Sequence, residues 1–384
     1  MAATSKPRTI TAGAVRAGIA ELGADVAAGT GRRDAERSFS HELWSRCAEI
    51  GLLRLTVPEE LGGLGLGARD AVGLMEDFGR LCPDAGLVFA VNSVLWSCVM
   101  PVVWFGDEQQ QAELLPGLCD GALIAANAMT EPLTGSDAFA VGTLARAVAD
   151  GYALTGEKTL ISNAPVADLF LVYARTDDRP GLFGISVFLV PADAPGVVRG
   201  APMPTMGLRT APMGSLRFED CPVARTQVLG GLGAGAAVFS RAMTWERGCL
   251  PATAVGVMER QIERCTRRAC ERRQFGTPIG ANQAISHRLA DMRVEADASR
   301  LLVERWADAQ DAGRDATMLA SEAKLFATES LIRSSTRALE IFGGHGYIEG
   351  DPAEREMRDA LAGRIYGGTS EIQRNLIARG LGLP

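Results

Sequence analysis

Residues 365–374 combine residue types that can bind an oxygen-rich ligand. Tyr366 precedes two glycines, and a helical pattern follows them. Thr369 or Ser370 can cap that helix, so its free N–H groups face whatever lies before it. Glycines let the backbone approach a ligand closely and donate from its N–H groups to an oxygen or a phosphate. The same pattern also fits a simple glycine break before a terminal helix.

Three further segments are rich in glycine, hydroxyl and amide residues, and they lie at 127–137, 272–279 and 342–347. In this order and spacing, the four segments resemble the acyl-CoA dehydrogenase family of flavoproteins. The resemblance covers the chain from about residue 10 to its end. It implies an FAD cofactor, an acyl thioester substrate and a homotetramer or homodimer in which a second subunit completes each flavin site.

One departure from the family pattern concerns the catalytic base. In many members a glutamate follows the tyrosine and removes the α-proton of the thioester, but here Gly367 follows it. A branch resembling the isovaleryl and long-chain enzymes keeps the base on the helix that opens the C-terminal domain, directly before an arginine. Glu246 and Arg247 stand at that place. We therefore expect Glu246 to be the base, and the Gly367 N–H to bind the thioester oxygen.

Two other interpretations of these positions stay open at this point. Glu246 could be a surface charge paired with a neighbouring arginine. The protein could also lack a base and bind flavin or a carrier without catalysis, which the glycine at 367 suggests. A carboxylate in the role of base is useful only where burial raises its pKa towards neutrality.

The resemblance also assigns cofactor contacts to residues from the whole chain. Thr130 would bind the isoalloxazine edge, Ser162 would place a hydroxyl near its N5 atom, and Arg272 would meet the pyrophosphate of the partner subunit's flavin. A guanidinium suits a pyrophosphate because its N–H groups bind two oxygens together. The full set of expected cofactor residues is Asn127, Met129, Thr130, Gly135, Ser136, Leu160, Ser162, Arg272, Gln274, Phe275, Gln283, Glu340, Gly343, Gly344, Thr369 and Glu371.

Two of these residues depart from the family pattern. Leu160 replaces a common tryptophan, so the flavin face would be packed less fully. Glu340 replaces a common glutamine, and a carboxylate beside a pyrophosphate would be unfavourable, which puts that contact in doubt. A Rossmann fingerprint is absent, since the glycines at 231, 233 and 235 lack the required spacing and follow no βαβ unit.

The expected substrate residues are Ser136, Thr244, Arg247 and Tyr366. Ser136 and Thr244 map to positions that touch the linker of the acyl carrier, although an aspartate is frequent at the latter. Residues 163–168, 243–250 and 286–290 look similar to dehydrogenases of natural-product pathways, many of which act on acyl or aminoacyl groups tethered to carrier proteins. We therefore expect a short acyl thioester on CoA or on a carrier protein, and an electron-transfer flavoprotein as acceptor.

Composition limits the other classes of function. Lys and Arg number 39 and Asp and Glu 46, a net charge of −7, and basic runs are missing, which argues against nucleic-acid binding. The eight cysteines are scattered and only three histidines occur, so neither a metal site nor a disulfide framework is predicted. Reduced thiols favour the cytoplasm. Residues 87–105 are apolar enough to span a bilayer, but internal polar residues and a proline favour a buried core helix.

Three sequence patterns along the chain indicate the elements that must position these residues. Helical periodicity extends to about residue 120, short β-branched runs separated by Gly, Pro and Asp follow to about 225, and long helical stretches begin near 231. We predict domains at 1–120, 121–230 and 231–384. The predicted fold class is α+β, of the acyl-CoA dehydrogenase type: an N-terminal helical domain, a central β-barrel or sheet, and a C-terminal four-helix bundle.

Two other classes of activity share this fold or this cofactor. Flavin-dependent monooxygenases and oxidases let oxygen reach the reduced flavin, so fast reoxidation by air would indicate them. A non-catalytic flavin-binding or carrier-binding protein is the remaining alternative.

Overall fold

The computed structural model describes residues 10–177 and 182–383. Its N-terminal part is helical, as predicted. The helices there are α1 (Ala12–Ala27), α2 (Thr30–Glu36), α3 (His41–Glu49), α4 (Ala68–Leu81), α5 (Ala85–Val94), α6 (Met100–Phe105) and α7 (Glu108–Cys119). Short 3₁₀ turns lie at Glu59–Leu61, Leu182–Gly184, Arg225–Gln227, Ile279–Ala281, Gly343–Tyr347 and Ala362–Arg364.

Side-chain caps explain where several of these helices begin. The Thr11 hydroxyl accepts from the backbone of α1, and Asp84 accepts from the N–H of Leu87 at the start of α5. Asp107 and Gln110 form a reciprocal capping box at the start of α7. Each cap satisfies N–H groups that have no partner inside the helix.

The apolar run that sequence analysis assigned to a buried core helix is confirmed. Residues Ala85–Phe105 are long and apolar enough to cross a membrane, but 83% of the apolar 18-residue window within this run is buried inside the protein. A π-helical turn, Leu95–Val99, joins α5 to α6 within this run. The run therefore belongs to the core.

The middle of the chain forms a sheet around two long strands. Within the described residues, the strands are β1 (Ala125–Ala128), β2 (Leu144–Val148), β3 (Gly151–Ser162), β4 (Leu169–Arg175), β5 (Ile185–Pro191), β6 (Val197–Arg199), β7 (Met213–Ala224) and β8 (Val228–Leu229). Their order is β6-β7-β3-β2-β4-β5-β8, and β1 pairs with β4 in parallel. The strands β1, β6 and β8 have only two to four residues each, too few to show periodicity in the sequence.

One irregularity in the sheet matters for the candidate site. The register between β3 and β7 shifts between Lys158 and Ile161. Leu160 sits in this shift with a φ of 56° and an exposed side chain. The shift turns this apolar side chain outward, away from the packed face of the sheet.

The C-terminal part is helical again, as predicted. Its helices are α8 (Gly235–Glu271), α9 (Gln283–Asp311), α10 (Thr317–Phe342), α11 (Pro352–Leu361) and α12 (Ser370–Gly380), and a small hairpin of β9 (Arg273–Gln274) and β10 (Thr277–Pro278) separates α8 from α9. Helices α8, α9 and α10 pack against one another, and α8 and α9 also pack against α4. We keep 1–120, 121–230 and 231–384 as the proposed domains, because helices and sheet alternate along the chain in that order.

Candidate active site

Glu246 is buried rather than a surface charge. It lies on α8, and 7% of the residue is exposed. The Ser97 hydroxyl, from the π-helical turn, donates a hydrogen bond to Glu246 Oε2. The other oxygen, Oε1, lies 3.3 Å from the place that a Cβ would take on Gly367. The carboxylate therefore stands beside the glycine that lacks a side chain.

The surroundings of Glu246 raise the pKa of its carboxyl. Burial raises the pKa of the Glu246 carboxyl above its ordinary value, and the Ser97 hydrogen bond and the charges of Arg247 and Lys324 oppose this rise. A raised pKa makes the carboxylate a stronger base than an exposed glutamate. This is the environment that removal of a weakly acidic proton requires.

Two cations hold the glycine turn in front of Glu246. Arg247 Nε donates to the carbonyl oxygen of Gly367 at 2.6 Å, and Lys324 Nζ donates to that of Gly368 at 2.8 Å. The amide of Gln373 donates to both carbonyls, at 3.1 and 2.9 Å. The two glycines have φ values of 61° and 92°, in the left-handed region that favours glycine.

The N–H and the carbonyl of Gly367 differ in their hydrogen bonding. The carbonyl accepts from two side chains, Arg247 and Gln373, whereas no hydrogen bond of the described residues uses the Gly367 N–H. An unused backbone donor beside a buried carboxylate can bind a developing oxyanion. The turn therefore has a buried carboxylate on one side and a free backbone donor on the other.

A small cavity lies under Tyr366. The ring of Tyr366 packs on that of Phe89, with the centroids 5.0 Å apart. The cavity beneath them measures about 50 Å³ and is lined mainly by apolar side chains, among them Val88, Leu250 and Leu331. Arg260, Glu356 and Asp359 supply polar groups to its lining. This volume has room for a few waters.

Tryptophan rings pack around Trp245, next to Glu246. Trp96 stacks on Trp245 at 5.5 Å, and Trp306 meets it edge-on at 5.6 Å. A Cβ on Gly248 would stand 2.0 Å from the Trp306 ring, so α8 and α9 can approach this closely only with glycine at that position. These large rings, of which Trp96 and Trp306 are fully buried, restrict the movement of α8 around Glu246.

A buried ion pair braces the segment that carries Thr130. Lys158 Nζ donates to Glu131 Oε1 at 2.7 Å and to the Met129 carbonyl at 3.1 Å. Glu131 also accepts from the backbone of Gly142 and from the backbone and hydroxyl of Thr143. The loop that opens at 129 is thereby tied to β3.

The expected cofactor residues of the middle part lie in the segment that the Lys158–Glu131 ion pair holds, and beside it. Thr130 is partly exposed, and its carbonyl accepts from Thr159 N at 2.9 Å. Met129 is buried, whereas the glycine and serine at 135 and 136 are exposed. Asn127 Oδ1 is a buried oxygen without a hydrogen-bond partner. Ser162 ends β3 and is partly exposed, two residues after the outward-facing Leu160.

A second set of expected cofactor residues lies on exposed surface of the C-terminal helical part. Arg272, Gln274, Phe275 and Gln283 are exposed around the hairpin, and Phe275 is 99% exposed. In the described part of the chain the Arg272 side chain has neither an ion pair nor a hydrogen bond. No hydrogen bond or ion pair of the described residues joins this set to Glu246.

The remaining expected cofactor residues are at the ends of α10 and α12. A Cβ on Gly343 or Gly344 would meet nothing within 4 Å. Glu340 forms an ion pair with Arg288 at 3.0 Å, which offsets the charge that an anionic ligand would meet. The Thr369 hydroxyl caps α12, as predicted. Glu371 is exposed and pairs with Arg374 at 3.2 Å.

These observations fit a large, partly anionic cofactor. The exposed Arg272 guanidinium, which has no partner among the described residues, suits a pyrophosphate. The open space at Gly343 and Gly344 leaves room for one. The buried Asn127 Oδ1, which lacks a partner in the same residues, can accept a hydrogen bond from a ligand. Of the expected substrate residues, Arg247 and Tyr366 meet at the glycine turn. The Thr244 hydroxyl donates to the Ser240 carbonyl at 3.0 Å, on the exposed side of α8.

Two residues of this site, Ser97 and Lys324, were not predicted from the sequence. Ser97 was not singled out from an apolar run, and Lys324 was not connected with the glycine turn. The one available signal for Ser97 was Pro101, four residues on, which disturbs an α-helix at that carbonyl. Lys324 is 1% exposed, and a buried lysine is rare unless it has a partner.

The chain also matches known proteins over most of its length. Family models match along the chain: acyl-CoA dehydrogenase N-terminal domain at 12–122, middle domain at 126–221 and C-terminal domain at 233–382. An L-prolyl-[peptidyl-carrier protein] dehydrogenase of Pseudomonas fluorescens is 41% identical over 366 residues, covering 95% of this chain and 96% of that protein.

Solved structures match over the whole length as well. The structure described as PigA with FAD and proline has a TM-score of 0.94 at 34% identity and covers 100% of both chains. The prolyl acyl carrier protein oxidase AnaB has a TM-score of 0.94 at 36% identity, covering 99% of this chain and 100% of that one. The chain therefore belongs to the acyl-CoA dehydrogenase family.

Proposed function

We propose that this protein is an FAD-dependent dehydrogenase that oxidises a short acyl thioester to the α,β-unsaturated thioester. The observation that carries the proposal is the buried Glu246 carboxylate, whose Oε1 stands 3.3 Å from the Cβ position of Gly367. In this arrangement Glu246 removes the α-proton. The free N–H of Gly367 binds the thioester oxygen as negative charge develops there.

FAD would be held by the residues that the family resemblance names. Thr130 and Ser162 would bind the flavin ring, Arg272 would bind the pyrophosphate of the partner subunit's cofactor, and Gly343 and Gly344 would leave room for it. Bound FAD supplies the acceptor for the β-hydrogen. Arg247 and Lys324 hold the carbonyls of Gly367 and Gly368, so that the Gly367 N–H keeps its direction.

The substrate is proposed from the cavity and from the relatives. The small, mostly apolar cavity beside Tyr366 supports a short acyl or aminoacyl group as its occupant. The curated relative at 41% identity is named for an L-prolyl group on a peptidyl carrier protein. We therefore place a prolyl-type or short acyl group, on a carrier protein or on CoA, in this cavity, in a natural-product pathway.

The surroundings of the enzyme are proposed on the same basis. All eight cysteines are unpaired and seven are buried, which suits the reducing cytoplasm. An electron-transfer flavoprotein would reoxidise the cofactor, and a homotetramer or homodimer would complete each flavin site. The exposed position of Arg272 supports the last point, since a residue serving the partner subunit's flavin must project outward.

The test is anaerobic bleaching of the purified flavoprotein. Short acyl groups and a prolyl group are each offered on CoA and on a carrier protein, and the loss of flavin absorbance is followed in a single turnover. We expect rapid bleaching by at least one thioester. Glu246→Gln should slow it about 100- to 10,000-fold, the range for loss of a general base. Glu263→Gln, a surface position on the same helix, should leave the rate unchanged.

Other outcomes would overturn the proposal. Absence of bleaching with every thioester, in protein that contains FAD, would favour a non-catalytic role. Fast reoxidation of the bleached protein by air would favour an oxidase or monooxygenase. Bleaching by CoA esters alone would remove the carrier protein from the proposal.

A further inference from the structure

The segment that faces Glu246 departs from α-helical geometry. Within the run Ala85–Phe105, residues Leu95–Val99 form a π-helical turn, in which the Met100 N–H bonds to the Leu95 carbonyl five residues back. Pro101 follows directly. A proline ring clashes with the carbonyl four residues before it in an α-helix, and here that carbonyl belongs to Ser97. The wider turn relieves the clash, and such turns are frequent at functional sites.

The π-helical turn changes which side chains face α8. One extra residue in a turn rotates what lies on its two sides by about 100° relative to an unbroken α-helix. In the observed turn, Ser97 is 1% exposed and its hydroxyl donates to Glu246 Oε2. This is a polar hydroxyl within a run that is otherwise packed in the apolar core.

The two oxygens of Glu246 have separate surroundings. Oε2 receives the Ser97 hydroxyl, while Oε1 lies toward the space left by the missing side chain at Gly367. No other hydrogen bond to the Glu246 carboxylate occurs among the described residues. Its two oxygens are therefore chemically distinct, although the carboxylate itself is symmetric.

We propose that Ser97 is the positioning residue of the base: it holds Glu246 by Oε2 and thereby leaves Oε1 as the atom that accepts the proton. This inference rests on the proposed function only in taking Glu246 as the base. The α-carbon's C–H bond breaks and an O–H bond forms at Oε1, while the electron pair of the broken bond enters the new C–C double bond as the β-hydride leaves for the cofactor. Ser97 keeps its own proton throughout.

The hydroxyl also has an electrostatic effect. A buried carboxylate loses the solvation of water, and a donated hydrogen bond replaces part of it. Several other ionisable or charged groups face Glu246 from the elements around it: Arg247 on α8, Lys324 on α10, Cys98 on the π-helical turn, Tyr173 on β4 and Tyr366 before α12. None of these five groups donates a hydrogen bond to the Glu246 carboxylate in the described part of the chain, whereas the Ser97 hydroxyl does.

The experiment measures the protonation of Glu246 directly. In the FAD-loaded protein without thioester, infrared difference spectra across a pH titration report the Glu246 carboxyl, and Glu246→Gln identifies its band. Ser97→Ala should raise the midpoint by about one to two pH units, since a hydrogen bond to a charged group is lost. Ser97→Thr keeps the hydroxyl and should keep the midpoint.

A matched control and a second variant complete the design. Ser299→Ala removes another fully buried serine hydroxyl, one that bonds to the Glu295 carbonyl, and should leave the midpoint unchanged. Ser97→Cys retains the volume with a much weaker donor, so it should also raise the midpoint even where the alanine variant folds poorly.

The kinetic profile supplies the second readout. In Ser97→Ala the pH profile of flavin reduction should move to higher pH by the same amount as the infrared midpoint, and its plateau should fall about tenfold because Oε1 is no longer held. An unchanged infrared midpoint in both Ser97→Ala and Ser97→Cys would overturn the inference. Since the titration uses no thioester, it decides on Ser97 even if no thioester bleaches the flavin.

Discussion

Gly367 and Glu246 show how one missing side chain constrains another residue. Glycine at 367 removes a potential base but keeps a backbone N–H, and the carboxylate from α8 stands beside it. A Cβ at 367 would meet Glu246 Oε1 at 3.3 Å, which is closer than usual contact. A larger side chain at 367 would therefore compete with the carboxylate for the same space.

The pH dependence of flavin reduction follows from the surroundings of Glu246. Burial raises the pKa of the carboxyl, and Ser97, Arg247 and Lys324 oppose the rise. Only the ionised carboxylate takes a proton, so the rate should increase with pH through a midpoint above the ordinary glutamate value of about 4.3. Single-turnover bleaching between pH 5 and pH 9 measures this midpoint.

Lys324 provides the matched variant for this pH profile. Its pKa is lowered to about 8, chiefly by burial, so the ammonium is charged below that pH. Lys324→Met removes a cation that lowers the pKa of Glu246, and the midpoint should move to higher pH. Arg314→Met, at an exposed position, should not move it. A midpoint at the ordinary glutamate value would contradict the role of burial.

Single residues differed in how far they could be predicted. Glu246 could be proposed as the base because Gly367 cannot take a proton and the family resemblance places a glutamate before an arginine at this position. Ser97 and Lys324 could not be predicted in this way, because their importance lies in what they touch. Ser97 reaches Glu246 across 149 residues of sequence, and Lys324 reaches Gly368 across 44.

At the scale of elements, the pair Lys158–Glu131 joins the loop after β1 to β3. Lys158 is fully buried, and Glu131 is 8% exposed. Burial raises the pKa of Glu131, but Lys158 and the donors of Thr143 and Gly142 outweigh it and lower the pKa below its usual value. The pair thus places an ionised carboxylate inside the protein.

Lys158→Met should destabilise the protein by about 3–5 kcal/mol, the usual cost of leaving one buried charge without its partner. The free energy of unfolding is measured in urea, and retention of FAD on gel filtration reports the loop. The double variant Lys158→Met with Glu131→Gln leaves no unpaired charge and should recover part of the loss. Equal stability of the single variant and the wild type would disprove the buried pair's role.

Elements were more predictable than their connections. The order of helical and β segments and their approximate boundaries near 120 and 231 followed from periodicity, since neighbours in sequence decide which face is apolar. The register shift that turns Leu160 outward did not, because pairing with β7 decides it.

At the scale of the whole molecule, the surface of the C-terminal helices carries exposed apolar side chains. Val294 and Leu301 lie seven residues apart on α9, which places them on one face, and each is 66% exposed. Phe275 and Tyr347 are 99% and 79% exposed. Apolar groups at this exposure are typical of interfaces between proteins.

We therefore expect an oligomer that buries this surface. Light scattering after gel filtration should give the mass of a tetramer or dimer, and Leu301→Glu should shift it toward the monomer by placing a charge in the interface. Val198→Glu, at an exposed apolar position on β6, is the control. A wild-type protein of monomer mass would refute the expectation and with it the sharing of Arg272 between subunits.

The sequence by itself determined the order of helices, sheet and helices and the four segments of family resemblance, which led to Glu246 as the proposed base. These depend on residue type and on spacing along the chain, which local propensity and periodicity express. Only the tertiary structure decided which groups surround the base: Ser97 on Oε2, Gly367 beside Oε1, and Arg247 and Lys324 on the carbonyls of the turn. Such contacts join distant segments, so the packing of whole helices sets them, and no local pattern records them.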